Sequence, residues 1–323
     1  MAPGGFYVDP VRAVAKAVVS HGHSDHARAG HGMVLATSAT LAIMAARYGV
    51  NHTANPEPLA FSEPRQIGPV TVTLAPAGHV LGSAQIILDY QGERVVYSGD
   101  YKAAADPTCA AYEPVDCDIF ITEATFGLPV FRHPPIGQEI GKLLTAQRLY
   151  PERTIVVGAY ALGKAQRVIR ALRDHGYDRP IYIHGALAKL CALYEDFGVE
   201  LGPLLPATAG EKGQARAALK GEIVIAPPGA LADRWARRLP DPLIAMASGW
   251  MRVKQRAKQR GVELPLIISD HADWDELLAS IDATGAHTVW VTHGREDALV
   301  HALQQRGLKA RALALIGYDD EAE

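Results

Sequence analysis

The sequence predicts an α/β protein whose host domain is interrupted by a second α/β domain. Three observations lead there. Short β-branched runs recur along the 323 residues, and several end in a histidine or a carboxylate. A middle block alternates helical and strand patterns of its own, as a small parallel sheet with crossover helices requires. No candidate ligand at a strand end lies between Glu123 and His271, so this block reads as inserted into a host that carries them.

The elements follow in order. Ala17-Val18-Val19 is a first apolar run, and in Ser38–Tyr48 the residues Leu41, Met44 and Ala45 share one helical face. Val70–Leu74 alternates as a half-buried strand does, and Arg94–Tyr97 and Asp118–Thr122 supply two more strands. Gly127-Leu128-Pro129, followed by Pro134-Pro135, is a breaker cluster suited to a domain boundary. Beyond it Gln138–Leu149 and Lys164–His175 read as helices, and Thr154–Val157, Ile181–Ile183 and Ile223–Ile225 as strands. From Leu264 the host strands resume, with Leu266–Ser269 and Val289–Thr292. The expected limits are 1–128 and 262–323 for the host and 129–261 for the insert.

Composition narrows the class of protein. The length suggests roughly two domains. Hydrophobic residues make up 48% and are dispersed, with no apolar stretch long enough to span a membrane. The first residues lack the basic and apolar regions of a signal peptide. Cys109, Cys117 and Cys191 lack metal-ligand spacing, which fits idle thiols in a reducing, cytoplasmic setting. A net charge of −3 argues against whole-surface attraction to nucleic acid, so any such contact must come from local basic patches and bound metal.

The densest chemical signal is His21-Gly22-His23-Ser24-Asp25-His26, directly after the first apolar run. Three imidazoles and a carboxylate in one short loop cannot all face a single ion, but two adjacent ions can share them. First-row metals such as zinc favour these donors. Further candidates end strands: His79, Asp100, Glu123, His271 and His293. Side chains at the carboxyl ends of strands are where α/β proteins place their sites. His31, His52, His133, His175, His184, His287 and His301 lack that context and read as structural.

The order His-x-His-x-Asp-His, a later isolated His and then Ser98-Gly99-Asp100 resembles the metallo-β-lactamase fold. Glu123 in Thr-Glu-Ala-Thr-Phe-Gly, His271 in Ser-Asp-His-Ala-Asp-Trp and His293 in Val-Thr-His-Gly-Arg-Glu resemble the three further motifs of the β-CASP nucleases. The length and the ending Leu315-Ile316-Gly317-Tyr318-Asp319-Asp320 look most like the bacterial ligase-associated DNA exonucleases. The resemblance implies an αββα sandwich with an inserted β-CASP domain that covers the metal face and forms a substrate groove. It further implies two divalent metal ions, zinc or else manganese. His21, His23, His79 and Asp100 would hold the first; Asp25, His26, Asp100 and His293 the second, with Asp100 bridging. Asp9 would orient ligand imidazoles. Asp25 would serve catalysis as well as metal binding, and His271, held by Glu123, would donate a proton or hydrogen bond to the scissile phosphate.

Two features of the insert bear on substrate. Gly158–Lys164 is close to a phosphate-binding P-loop, but Ala165 stands where that motif needs a hydroxyl, so nucleotide hydrolysis is not expected. Lys164 at a helix amino terminus would suit a substrate phosphate, and a plain Gly-rich turn accounts for the segment equally well. Arg252, Lys254, Arg256, Lys258 and Arg260 alternate, either as a solvated face or as a phosphate-backbone contact.

The expected activity is therefore a phosphodiesterase using hydroxide activated by two metals. DNA is the expected substrate, in repair or ligation and with a functional link to a DNA ligase; no membrane partner is expected. RNA is the alternative, since the His293 motif is His in RNA-cleaving relatives. A small-molecule metallohydrolase would not require Glu123, His271 and a roughly 130-residue insert. An inactive scaffold would not keep every ligand.

Overall fold

In the computed structural model, which describes residues 2–207 and 218–313, the first apolar runs form a parallel sheet of β1 (Tyr7–Val8), β2 (Lys16–Val18), β3 (His31–Ala36) and β4 (Thr53–Pro58), in that order. The ending Leu315–Asp320 lies outside the described residues. Between β3 and β4 runs α1 (Ser38–Tyr48). It starts where Thr37 Oγ1 accepts the Thr40 N–H at 3.1 Å, satisfying one of the amides that a first helical turn leaves open. Its Leu41 and Met44 pack on Ala17, Val19, Val34 and Ala36 from one face of this sheet. Next come β5 (Arg65–Ile67), β6 (Val70–Pro76), β7 (Ala84–Tyr90) and β8 (Glu93–Tyr97), an antiparallel meander, and β9 (Ile119–Ala124), which adds to β8 in parallel.

The described residues from His133 to Ser269 form a separate unit. It contains α2 (Ile136–Leu149), β10 (Ile155–Gly158), α3 (Lys164–Asp174), β11 (Ile181–Ile183), α4 (Gly185–Asp196), β12 (Leu204–Pro206), β13 (Ile223–Ala226), β14 (Leu243–Ala247), α5 (Lys254–Gln259) and β15 (Leu264–Leu266). The sheet order is β12-β11-β13-β10-β14-β15, and every pairing is parallel. Its central strands β10 and β13 are buried at every residue, which is why they read as unbroken apolar runs. Both boundaries differ from expectation. The unit runs from His133 to Ser269 instead of 129 to 261, and its later end shifts because Leu264–Leu266 pairs with β14 rather than with the host.

The chain then returns to the first unit with α6 (Trp274–Ala283), β16 (Thr288–Gly294), α7 (Glu296–Gln305) and β17 (Lys309–Ala312). These complete a seven-stranded sheet ordered β17-β16-β9-β8-β7-β6-β5. Its pleat sends alternate residues to opposite faces. Ile86, Leu88 and Tyr97 join Phe6, Val18 and Leu35 in a core shared by both sheets. Ile87, Val96 and Phe120 face the other way, onto Trp274, Leu277, Ile281, Leu299 and Leu303 of α6 and α7. Leu35, Leu74 and Ile86 are each fully buried; such burial contributes roughly 1.5–3 kcal/mol per side chain. No helix among the described residues is long and apolar enough to cross a membrane.

Strand direction positions the site. β6, β8, β9 and β16 all run the same way through the sheet, two by antiparallel steps across β7 and the others by parallel pairing. Their carboxyl ends therefore lie along one edge, which brings His79, Asp100, Glu123 and His293 together although they are far apart in sequence.

Candidate metal centre

The His-rich loop leaves β2 and is held from below by Asp9. Asp9 Oδ1 accepts the Ser20 N–H at 2.7 Å, and Oδ2 accepts the Ser20 hydroxyl at 2.5 Å. Asp9 Oδ2 also accepts from His26 Nδ1 at 2.8 Å. Because the Ser20 proton goes to Asp9, Ser20 Oγ accepts from His21 Nδ1 at 3.0 Å. The Nδ1 atoms of His21 and His26 are thereby committed, and their Nε2 lone pairs point inward. His79 is fixed in the same sense, its Nδ1 donating to the Asp270 carbonyl at 2.8 Å.

These nitrogens converge on one carboxylate. Asp100 Oδ2 lies 3.4 Å from His21 Nε2, 3.5 Å from His26 Nε2 and 3.8 Å from His79 Nε2. Gly99 allows this approach: at φ +56°, an added Cβ would sit 2.9 Å from Ser20 Cβ. His23 Nδ1 completes the first group, 3.1 Å from His21 Nε2 and 2.9 Å from His79 Nε2. A tetrahedral zinc with bonds of about 2.0–2.1 Å sets its ligand atoms roughly 3.3 Å apart. His21, His23, His79 and Asp100 fit that set. Lone pairs this close repel unless a cation lies between them, so the donor chemistry fits a metal ion as well as the spacing does.

A second group shares Asp100. His26, Asp100 and His293 each offer a donor atom within 4.8 Å of the others. His293 owes its direction to an irregular strand end. The β9–β16 register shifts between Thr292 and Gly294, and His293 itself has φ +55°. Gly294 follows at φ +112°, where an added Cβ would lie 2.3 Å from the Ala124 carbonyl oxygen. Such a bulge re-aims the side chain beside it. The His293 ring faces that of His26, with centroids 5.1 Å apart.

The electrostatics favour neutral rings at three of the proposed ligands but not at His26, where burial is outweighed by Asp100 and the Asp9 hydrogen bond, which lift it to about 10. Burial pulls His23 down to about 4, with His21 adding to the effect. Burial and the neighbouring His271 and His21 hold His79 well below its ordinary value, and burial with His26 lowers His293. Neutral imidazoles are what a metal requires. Burial opposes the charge of Asp100, but His26, His21 and His271 outweigh it and keep the carboxyl well below its usual range. Burial also opposes His271, yet Glu123 and Asp100 lift it to about 10. His271 Nδ1 lies 3.0 Å from Glu123 Oε2 and 3.2 Å from Oε1.

No family model matches the chain. Over 323 residues, 99% of this chain, it is 30% identical to a probable DNA ligase of Opitutus terrae and covers 30% of that protein. It is 26% identical over 220 residues to an RNase J-like protein of Methanocaldococcus jannaschii, spanning 59% of this chain and 52% of that one. The chain belongs to the metallo-β-lactamase-fold β-CASP family. It spans about a third to half of the length of these relatives. A crystal structure of a protein of unknown function from Enterococcus faecalis V583 shares the fold of this chain, with a TM-score of 0.60 over 94% of this chain and 80% of that one at 15% identity.

Within this β-CASP framework, Asp9, His21, His23, His26, His79, Asp100, Glu123, His271 and His293 lie in one connected cluster. Asp25 stands at its margin: its side chain is 54% exposed, with Oδ2 3.7 Å from His26 Nε2. Lys164 is only 4% exposed, with Nζ 5.9 Å above the Tyr160 ring, so it is not displayed to solvent as a phosphate contact should be. The basic run is a 3-10 turn followed by the short helix α5, which spreads its cations, and Arg256 stacks 4.0 Å over Trp250. Sequence reasoning missed Ser20 and Asp270. The only available signal was adjacency, Ser20 preceding His21 and Asp270 preceding His271.

The Asp9 arrangement carries a prediction. Asp9→Ala frees the Nδ1 of His26 and unties Ser20, so metal affinity should fall roughly 10–100-fold. Competition titration with a chelator measures it; unchanged affinity would remove Asp9 from the centre.

Proposed function

We propose that this β-CASP protein is a metal-dependent phosphodiesterase acting on nucleic acid, most like a ligase-associated DNA exonuclease in repair or ligation. The observation that carries the reading is the convergence of three committed imidazoles on Asp100 Oδ2, with the Glu123–His271 pair beside it. On this reading the first unit is the αββα sandwich and the His133–Ser269 unit is the inserted β-CASP domain.

His21, His23, His79 and Asp100 would hold one divalent cation, and His26, Asp100 and His293 a second, with Asp25 reaching in from the margin. Two such ions, zinc or manganese, supply charge neutralisation at the phosphate and activation of water. The chain's own residues do the rest. Asp9 and Ser20 fix the tautomers of the ligand imidazoles, and Asp270 fixes that of His79. Glu123 holds the His271 ring through Nδ1, which leaves Nε2 to give a proton to the departing alkoxide. A reducing cytoplasmic setting fits this role.

Digestion of end-labelled single- and double-stranded DNA and of matched RNA, with zinc and manganese compared, tests the proposal. Progressive shortening of DNA supports it; no cleavage of any of these substrates refutes it. A ribonuclease reading rests on His293, whose motif is His in RNA-cleaving relatives, and on the RNase J-like protein. Cleavage of RNA alone would select it.

The basic run supplies a further expected outcome. Neutralising Arg252, Lys254 and Arg256 together should weaken binding to all sequences. It should also flatten the salt dependence by about one log–log unit per lost phosphate contact. Thermal stability should fall only slightly, because Arg252 and Lys254 are exposed and Arg256 gives up only its stacking on Trp250. An unchanged salt slope assigns these residues to a solvated face.

A further inference from the structure

Two loops of the proposed centre are fastened together by groups the chemistry itself does not use. Lys102, two residues after Asp100, is 7% exposed, and its Nζ lies 2.5 Å from Glu276 Oε2. Glu276 is the third residue of α6 and accepts the Asp273 N–H at 2.9 Å, as a capping-box glutamate does. A cap requires no more than that. Glu276 nevertheless also takes the Ala104 N–H through Oε1 at 2.8 Å, in addition to the Lys102 ammonium. Between these residues the backbone joins as well: the Ala272 N–H donates to the Tyr101 carbonyl at 2.6 Å, and the Tyr101 N–H to Glu123 Oε1 at 2.8 Å. The segment 100–104, which carries Asp100, is thus tied to the segment 271–276, which carries His271.

We propose that Lys102 and Glu276 are positioning residues that set the separation of Asp100 and His271, whose Oδ2 and Nδ1 atoms lie 4.0 Å apart. A buried ion pair is weak evidence of stabilisation, because desolvating both charges offsets their attraction. What such a pair does supply is a fixed register between the two segments that bear it. The role rests on the phosphodiesterase reading: Asp100 marks where the cations sit and His271 where the leaving group receives its proton. An ångström of misplacement between such groups costs about 10²-fold in rate.

The test uses the metal-loaded full chain. Lys102→Met keeps the stem of the side chain and removes the charge; Glu276→Gln keeps an acceptor for the Asp273 amide and guards against a misfolded first variant. Each should lower kcat about 10²-fold with little change in KM and with metal content unchanged. Lys102→Arg should recover part of the loss. Hydrogen exchange, which needs no substrate, should quicken at the Tyr101, Ala104 and Ala272 amides, while Ile86 and Leu88 in β7 keep wild-type protection. Exchange that is unchanged at the three amides, or that rises throughout the unit, overturns the proposal. Loss of metal in both variants does so too. If the wild-type chain cleaves no phosphodiester, the functional reading fails by itself, and the exchange pattern still decides whether the pair couples the two loops.

Discussion

Asp100→Ala is expected to empty both metal positions of the proposed centre and to abolish hydrolysis. Asp100 Oδ2 is the atom on which the Nε2 atoms of His21, His26 and His79 close, at 3.4, 3.5 and 3.8 Å. Both ligand groups include it, so no other single side chain serves both. Losing a group that merely orients a ligand costs roughly 10–100-fold in affinity or activity. A shared ligand should cost more than that at each position. Elemental analysis after metal loading should fall from two ions per chain to less than one, and activity to background. The fold should survive, because Asp100 packs against imidazoles rather than in either apolar core. Full metal content with activity intact would sink the two-metal reading.

Much of this cluster is legible in the sequence for a geometric reason. Parallel strands in one sheet expose their carboxyl ends along one edge, so a functional residue that ends such a strand is placed by topology alone. Asp100 lies just beyond β8, and Glu123 and His293 stand at the carboxyl ends of β9 and β16; the three strands are successive neighbours paired in parallel. The all-parallel second unit is legible for a related reason, since strands such as β10 and β13 are buried on both faces and keep no polar alternation.

The remainder depends on contacts between residues distant in sequence. The run ending at His271 reads as a host strand, but Leu264–Leu266 pairs with β14, and His271 stands on the loop beyond it. A short apolar run does not state which sheet it joins. Lys164 looks displayed because it opens a helix, yet Gln166 turns back to the Gly163 N–H at 2.8 Å and to the Ala161 carbonyl at 3.0 Å, closing the turn on itself. The Lys102–Glu276 pair spans 174 positions and belongs to no motif.

The last expected result separates metal holding from proton donation. His293→Ala should reduce metal occupancy, since His293 groups with His26 and Asp100. His271→Ala should retain both ions and still lose roughly 10²–10⁴-fold in rate if proton donation is its main work. Burial disfavours the charged form of His271, but Glu123 and then Asp100 raise it to about 10, so the donor is protonated at neutral pH. A reaction that needs the protonated form loses rate as pH rises through that value. Glu123→Gln removes the largest raising charge while leaving an acceptor oxygen for the Tyr101 N–H. The pKa of His271 must then fall, and the alkaline limb of the pH–rate profile should move to lower pH with metal content unchanged. Cations at the proposed centre would lower the same pKa in wild type and variant alike, so the direction of the difference holds. Metal analysis and pH–rate profiles of the three variants decide it. Metal loss in His271→Ala would make His271 a ligand, and an alkaline limb that stays in place in Glu123→Gln would deny Glu123 its influence on the donor.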